Sequence, residues 1–239
     1  MPRLYCNAPL SPNSTISLPP SAARHTMVLR LKEGETLTLF NGKGGEYTAR
    51  IASIGKHATT AEILSFVYRE SELPYRMTLV QGMPESPKMD FIIEKAVELG
   101  ISHICPVELV RSVVRLTQER AERRLMRWRG IIISASEQSG RNRLAELADV
   151  CTFPEWIQKR DQQSCILLDA KAPRSLADWA KETPPQDVAI LVGPEGGLTP
   201  EEESLAAAHG ILPLSMGSRI LRTETAGIAA ASVLNALWS

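Results

Sequence analysis

From residue 77 onward, short apolar runs alternate with segments of helical period. This alternation constrains the fold more than any other feature. Strands joined through helices pair in parallel, and a parallel sheet needs helices on both faces. MTLVQGM (77–83) reads as a strand, and SPKMDFIIEKAVELG (86–100) as an amphipathic helix entered at Ser86-Pro87 and closed by Gly100. ISHICPVEL (101–109) is the next strand, followed by a long Arg-rich helix, TQERAERRLMRWRGIIISASEQ (117–138). CILLDA, SLADWAK, AILV, a helix from Pro200, ILPLSMG and TETAGIAAASVLNALW continue the pattern. Thr223 reads as the cap of that last helix. The expected class is α/β.

The first 70 residues follow a different period. MVLRLKEGETLTLFNGKGGEYTARIASI predicts a strand before a turn at Glu33-Gly34, a strand at Thr36–Phe40, a glycine turn at 41–45 and a strand from Glu46 to Ile54. TTAEILSFVYRE adds another strand, and SAARHTMVLR a short helix leading in. A small β-barrel over 1–72 is expected, then a second domain over 73–239, with the linker near ESELPYR. Small β-barrels often bind RNA. The basic residues Arg3, Arg24, His25, Arg30 and Lys43 punctuate this one.

The net charge is zero, but it is unevenly spread. Residues 111–143 hold nine Arg against three Glu, a local +6, whereas residues from Cys151 onward hold seven basic and eleven acidic groups, a local −4. A basic middle on a neutral chain suggests an acidic partner on one face, nucleic acid being the commonest; a solvated amphipathic helix accounts for it equally well. The four cysteines show no metal or redox spacing and read as reduced core residues of a cytoplasmic protein. The four histidines (His25, His57, His103, His209) lie far apart, so no metal is expected. No apolar run reaches membrane length.

In AILVGPEGGLTPEEESL (189–205), the run 189–192 reads as a buried parallel strand. Gly193, Gly196 and Gly197 follow, and Thr199, Pro200 and Glu202 spell a capping box with Pro at the first helical position. Strand, glycine loop and helix make the usual small-molecule site of an α/β protein, although a tight turn before a well-capped helix has the same grammar. No P-loop or dinucleotide fingerprint is present. The glutamates at 195 and 201–203 already answer the helix dipole, which disfavours a phosphate there. Three loops, 169–171, 193–198 and 215–225, fall at the carboxyl ends of late strands, where such sites form.

LVGPEGGLTPEE followed by MGSRILRTETA resembles the paired C-terminal motifs of the RsmE-type rRNA methyltransferases of the SPOUT superfamily. MDFIIEKAVELGISHICPV, RSVVR and ASEQSGR are similar to further segments of that family, in the same order, and RHTMVLRLKEGETLTLFNGKGGEYTARI resembles its N-terminal PUA-like barrel. Leu198 stands where the family often has an aromatic, and Met216 where it usually has Leu. The resemblance implies a C-terminal SPOUT domain with a parallel sheet and a trefoil knot, preceded by a small PUA-like β-barrel. It implies a homodimer that methylates N3 of one uridine in small-subunit 16S rRNA, near the decoding centre, using S-adenosylmethionine. By carry-over, Leu168, Asp169, Gly193, Glu195, Gly196, Met216, Gly217, Ile220, Leu221 and Thr225 are expected at the cofactor.

Methylation at N3 calls for a base and for positive charge near the uracil. Arg219 and Arg222 are candidates for the charge, and Glu195 or Glu224 for the base; the sequence leaves those two open. Candidate RNA contacts are Arg3, Arg24, Arg30, Lys43, Arg111 and Arg141, the last reaching the partner subunit's site. A non-catalytic RNA-binding factor and a tRNA enzyme of the same fold stay open as alternatives.

Overall fold

The computed structural model describes residues 1–55, 58–161 and 163–238, so His57 lies outside the described residues. The chain divides into two compact units: Met1–Glu72 with Ile133–Leu144, and Leu73–Ile132 with Ala145–Ser239.

In the first unit, β1 (Arg3–Tyr5), β2 (Ser14–Ser17), α1 (Pro20–Val28), β3 (Thr36–Phe40), β4 (Glu46–Ile54) and β5 (Thr59–Val67) follow in order. The strands form one sheet, β1-β3-β4-β5-β2, antiparallel except where β1 runs parallel to β3. Inward positions recur every second residue along β4 and β5, as a pleated strand requires. Ala49, Ile51, Ala61 and Ile63 close a core with Leu4, Leu37 and Leu39. The glycine turn forms as expected, with Gly42, Gly44 and Gly45 all at positive φ. The strand expected before Glu33 does not form. α1 runs on to Val28, and Arg30 turns left-handed at φ 55, so Met27, Val28 and Leu29 stay exposed and have no ladder to join.

Residues 133–144, expected with the second domain, belong to the first unit. Glu137 there accepts from the Tyr5 amide at 2.8 Å, and Arg141 pairs with Glu72 at 2.5 Å. Asn142 hydrogen-bonds Arg3 and the Arg69 carbonyl. These partners lie about 70 to 140 residues away along the chain, a range that helical periodicity does not report.

The second unit comprises β6 (Met77–Gly82), α2 (Ser86–Glu98), β7 (His103–Glu108), the start of α3 (Gln118–Ser139), β8 (Glu146–Leu147), β9 (Cys151–Thr152), α4 (Phe153–Lys159), β10 (Ser164–Leu168), α5 (Leu176–Glu182), β11 (Val188–Val192), α6 (Pro200–Ala208), β12 (Leu212–Leu214) and α7 (Thr223–Trp238). The sheet is parallel throughout, in the order β12-β10-β11-β6-β7-β8, with β9 also on β7. Successive residues along each strand face opposite layers. Val80, Val107, Leu167 and Leu191 pack with Phe153 and Trp156 of α4 and Ala206 of α6. On the other face α7 lies so close that a Cβ at Gly227 would sit 2.9 Å from Leu79. The short elements β1, β2, β8, β9 and α4 escape the sequence patterns. α4 is the avoidable miss, since Thr152 and Glu155 form a complete capping box.

All four cysteines are free, and burial pushes the Cys165 thiol up to about 12, so it stays protonated. Among the described residues no helix is long and apolar enough to cross a membrane, and no cluster of three or more His, Cys, Asp or Glu offers a metal site.

Leu37 is fully buried at the centre of the first core. Leu37→Ala is expected to cost about 2–5 kcal/mol of that unit's stability. Urea unfolding followed in the first unit measures it, and a loss below about 1 kcal/mol contradicts the packing described.

Candidate active site

β11 ends at Val192, and the chain turns sharply through Gly193 to Leu198 before α6 begins. Gly197 takes φ 67, a conformation that side chains resist, and its amide closes the turn onto the Pro194 carbonyl at 2.9 Å. The Thr199 capping box forms with both bonds present. The second oxygen of Glu202 accepts from the Val110 amide at 2.8 Å, and Arg111 donates to the carbonyls of Gly196 and Leu198 at 3.1 and 2.9 Å. The glycine loop is therefore laced to the segment after β7.

A second set of bonds fixes it from the other side. The Thr223 hydroxyl donates to the Gly193 carbonyl at 2.7 Å and accepts from the Gln81 amide at 2.9 Å. Gln81 also donates to the Gly82 carbonyl. Thr223 and Gln81 are buried. Thr223 thus does not cap α7 as the sequence suggested; its hydroxyl is spent on this link, and the Arg222 carbonyl takes the first helical amides. Gly82 is required by space: a Cβ there would lie 2.6 Å from Leu109 and 2.8 Å from the Pro194 nitrogen.

Around these loops lies a cavity of about 410 Å³. Of the expected residues, Leu168, Asp169, Gly193, Glu195, Met216, Arg219, Ile220, Leu221, Arg222 and Glu224 line it. Gly196, Gly217 and Thr225 do not: Gly196 faces Arg111, Gly217 supplies a turn at φ 92, and the Thr225 amide bonds the Arg222 carbonyl. Ile220 lies at the rim, 88% exposed. The sequence reading missed Lys88, Glu203 and Thr223 among the lining groups.

Lys88 changes the electrostatics of the site. Its ammonium lies 2.7 Å from Glu195 Oε1, which also accepts from the Glu85 amide at 3.1 Å. Burial, the largest single influence on Glu195, opposes ionisation. The Lys88 hydrogen bond, backbone amides and the Lys88 charge together outweigh it, and the carboxyl lies below its usual range. The hydrogen bond to Glu195 raises Lys88 in return. Glu224 is different: its Oε2 is buried and has no hydrogen-bond partner. Arg219 and Arg222 are exposed, and their side chains make no hydrogen bond or ion pair among the described residues. The lining carries four carboxylates (Asp169, Glu195, Glu203, Glu224) against three cations (Lys88, Arg219, Arg222). The lining as a whole is largely apolar, with a slight excess of acidic groups.

The expected RNA contacts divide. Arg24, Arg30 and Lys43 are exposed on the first unit. Arg3 is engaged internally by Glu46, Asn142 and the Phe40 ring, and Arg141 is 2% exposed and paired with Glu72. Both act as structural ties: Arg141 is buried against Glu72, and the two terminal nitrogens of Arg3 are taken by Glu46, Asn142 and the Arg141 carbonyl. Arg111 is committed to the glycine loop.

The depressed Glu195 carboxyl contributes stability above its unfolded pKa and loses it as pH falls through its lower folded value. The melting temperature of Lys88→Met is expected to lie below that of the parent near neutrality. The gap should close in acid as Glu195 protonates. A gap independent of pH contradicts the ion pair.

The RNA methyltransferase domain model matches residues 71–235, and the RNA methyltransferase PUA domain model matches residues 22–64. The chain is 30% identical to ribosomal RNA small subunit methyltransferase E of Bacillus subtilis, over 92% of this chain and 90% of that protein. A Legionella pneumophila methyltransferase solved with its bound cofactor SAM superposes with a TM-score of 0.93 at 36% identity, covering 98% and 96% of the two chains. The ribosomal RNA small subunit methyltransferase E of Neisseria gonorrhoeae, bound to S-adenosyl methionine, gives 0.92 at 38% identity over 100% and 98%. With its PUA and methyltransferase parts in this order, the chain belongs to the ribosomal RNA small subunit methyltransferase E family.

Proposed function

We propose that this chain methylates N3 of a uridine in 16S rRNA, near the decoding centre of the small ribosomal subunit, using S-adenosylmethionine. The observation that carries the chemistry is the unpartnered, buried Glu224 Oε2 in a cavity that also holds two unpaired arginines. The cavity fits the cofactor. Its lining is slightly acidic, which suits a sulfonium cation, and Gly193 and Gly197 bring backbone close to the space. Leu168, Met216 and Leu221 would pack on the cofactor, while Asp169 and Glu195 would meet its polar ends. When bound, S-adenosylmethionine supplies an electrophilic methyl group on positively charged sulfur.

The protein's own part is acid–base and electrostatic. A uracil N3–H must lose its proton before the nitrogen attacks. Glu195 is a poor acceptor, since it is held ionised and already takes bonds from Lys88 and Glu85. Glu224 has an open oxygen and is assigned the base. Arg219 and Arg222 would stabilise the anion spreading over the uracil oxygens. The Thr223 link keeps Glu224 and the glycine loop in one register, which in-line displacement demands. The reading includes the trefoil knot that the family membership implies. It also includes a cytoplasmic homodimer. Arg24, Arg30 and Lys43 on the PUA part are assigned to the RNA backbone.

The test uses unmethylated small ribosomal subunits, labelled S-adenosylmethionine and mass spectrometry of the nucleosides. 3-Methyluridine in 16S rRNA is the expected product, and a label in another nucleoside overturns the assignment. Glu224→Gln is expected to lower kcat by about 10²–10⁴, with cofactor affinity within a few-fold. Equal losses in both would make Glu224 a cofactor ligand instead. Arg222→Ala is expected to show the same division.

A further inference from the structure

α2 and α3 enclose a second cavity that the methyl-transfer chemistry does not use. It measures about 420 Å³ and is lined by Ser86, Pro87 and Asp90 of α2 and by Arg123, Arg124 and Arg127 of α3. Three guanidinium groups at positions i, i+1 and i+4 of one helix line a single hollow. Arg120, one turn earlier, lies on the same face, exposed and without a partner among the described residues.

The three arginines are not equivalent. Arg127 pairs with Asp90 at 2.6 Å, and Asp90 also accepts from Trp128 Nε1 at 3.2 Å. That carboxylate is neutralised within the wall. Arg123 pairs with Glu119 along the helix, a pair whose two side chains are 69% and 75% exposed, so solvent screens it and a better anion displaces it cheaply. Arg124 is half-buried and has no ion pair or hydrogen bond among the described residues. Its fork is free for a planar or tetrahedral oxyanion. The first turn of α2 carries no acidic residue and makes no side-chain cap bond. Four of the lining groups are charged, three positive and one negative, so the hollow is cationic.

We infer that this hollow is a docking site for a backbone phosphate of the RNA substrate, with Arg124 as its main contact and Arg123 and Arg127 beside it. The inference rests on the RNA-substrate reading above. The position supports it. The start of α2 is a common wall: Lys88 lines the methyl-transfer cavity, while Ser86, Pro87 and, one turn on, Asp90 line the arginine hollow. A strand with one phosphate seated here would pass the helix start that the two cavities share. A phosphate contact carries no base information, so the site sets position along the strand rather than sequence choice.

The experiment measures RNA affinity of the full-length protein against salt, using a small-subunit RNA fragment and an unrelated RNA of equal length. Arg124→Ala is expected to weaken both by about tenfold and to flatten the log–log salt slope by about 1. Arg123→Ala, at an exposed side chain where folding is not at risk, should show a smaller loss in the same direction. Arg124→Lys should recover part of the slope. Cofactor affinity and kcat at saturating RNA should not change for any of the three. If the parent binds RNA with a steep salt slope and the variants match it, the docking site is overturned and the substrate reading stands. If the parent binds neither RNA, both fall together.

Discussion

The Thr223 hydroxyl is the interaction on which the catalytic unit depends. It joins the end of β6, through Gln81, to the end of β11, through Gly193, from the first turn of α7. Those three segments are 30 to 142 residues apart along the chain. A buried hydroxyl without partners would be costly, whereas here both its donor and its acceptor capacity are used. Because Gln81 and Thr223 are both buried, each bond fixes the others: rotating Gln81 would orphan Thr223, and withdrawing Thr223 would free the glycine loop. Glu224 follows directly in sequence, so its carboxylate takes its position from the same link.

That arrangement allows two carboxylates in one cavity to behave differently. Glu195 sits among donors: the Lys88 ammonium, the Glu85 amide and backbone amides of its own loop. It is locked as an anion and serves to hold the loop against the start of α2. Glu224 keeps an oxygen without a donor. Neighbouring acids whose surroundings separate their roles are a recurrent way to combine structure and proton transfer in one site. The alternative, two equally free carboxylates, would repel each other and compete for the same proton.

The sequence was most informative where function depends on local backbone chemistry. The run 189–192, the glycines after it and the Thr199–Glu202 box announced strand, loop and helix, and each bond was found in place. The Arg-rich helix and the glycine turn at 41–45 were equally legible. What stayed hidden is pairing over long range. Lys88 reads as an ordinary charge in the first turn of a helix; only the fold puts it 2.7 Å from Glu195. Arg3 and Arg141 show the reverse case. The first was expected at RNA as a basic residue of a small barrel and the second from the family resemblance. Glu46 and Glu72 pair with them instead, and neither partner can be picked out of 27 acidic residues by spacing. Thr223 was assigned as a cap because Thr before a helix usually is one. Its neighbours Gln81 and Gly193 decided otherwise.

The same long-range pairing explains how a chain of zero net charge can present a cationic face. Along α3 the arginines outnumber the acids, but the effective charge depends on which of them the fold neutralises. Arg127 is answered by Asp90 and Arg123 by Glu119, whereas Arg120 and Arg124 are left open. On the acidic side, Glu202 is absorbed by its capping box and by Val110. Part of the charge left for a polyanion thus lies on one face of this helix, adjoining the α2 turn that carries Lys88, and part on the exposed Arg24, Arg30 and Lys43 of the first unit. A neutral protein can then meet a highly charged strand without a globally basic surface. Screening confines the attraction to about 8 Å at physiological ionic strength, so local placement rather than the total decides where the strand settles.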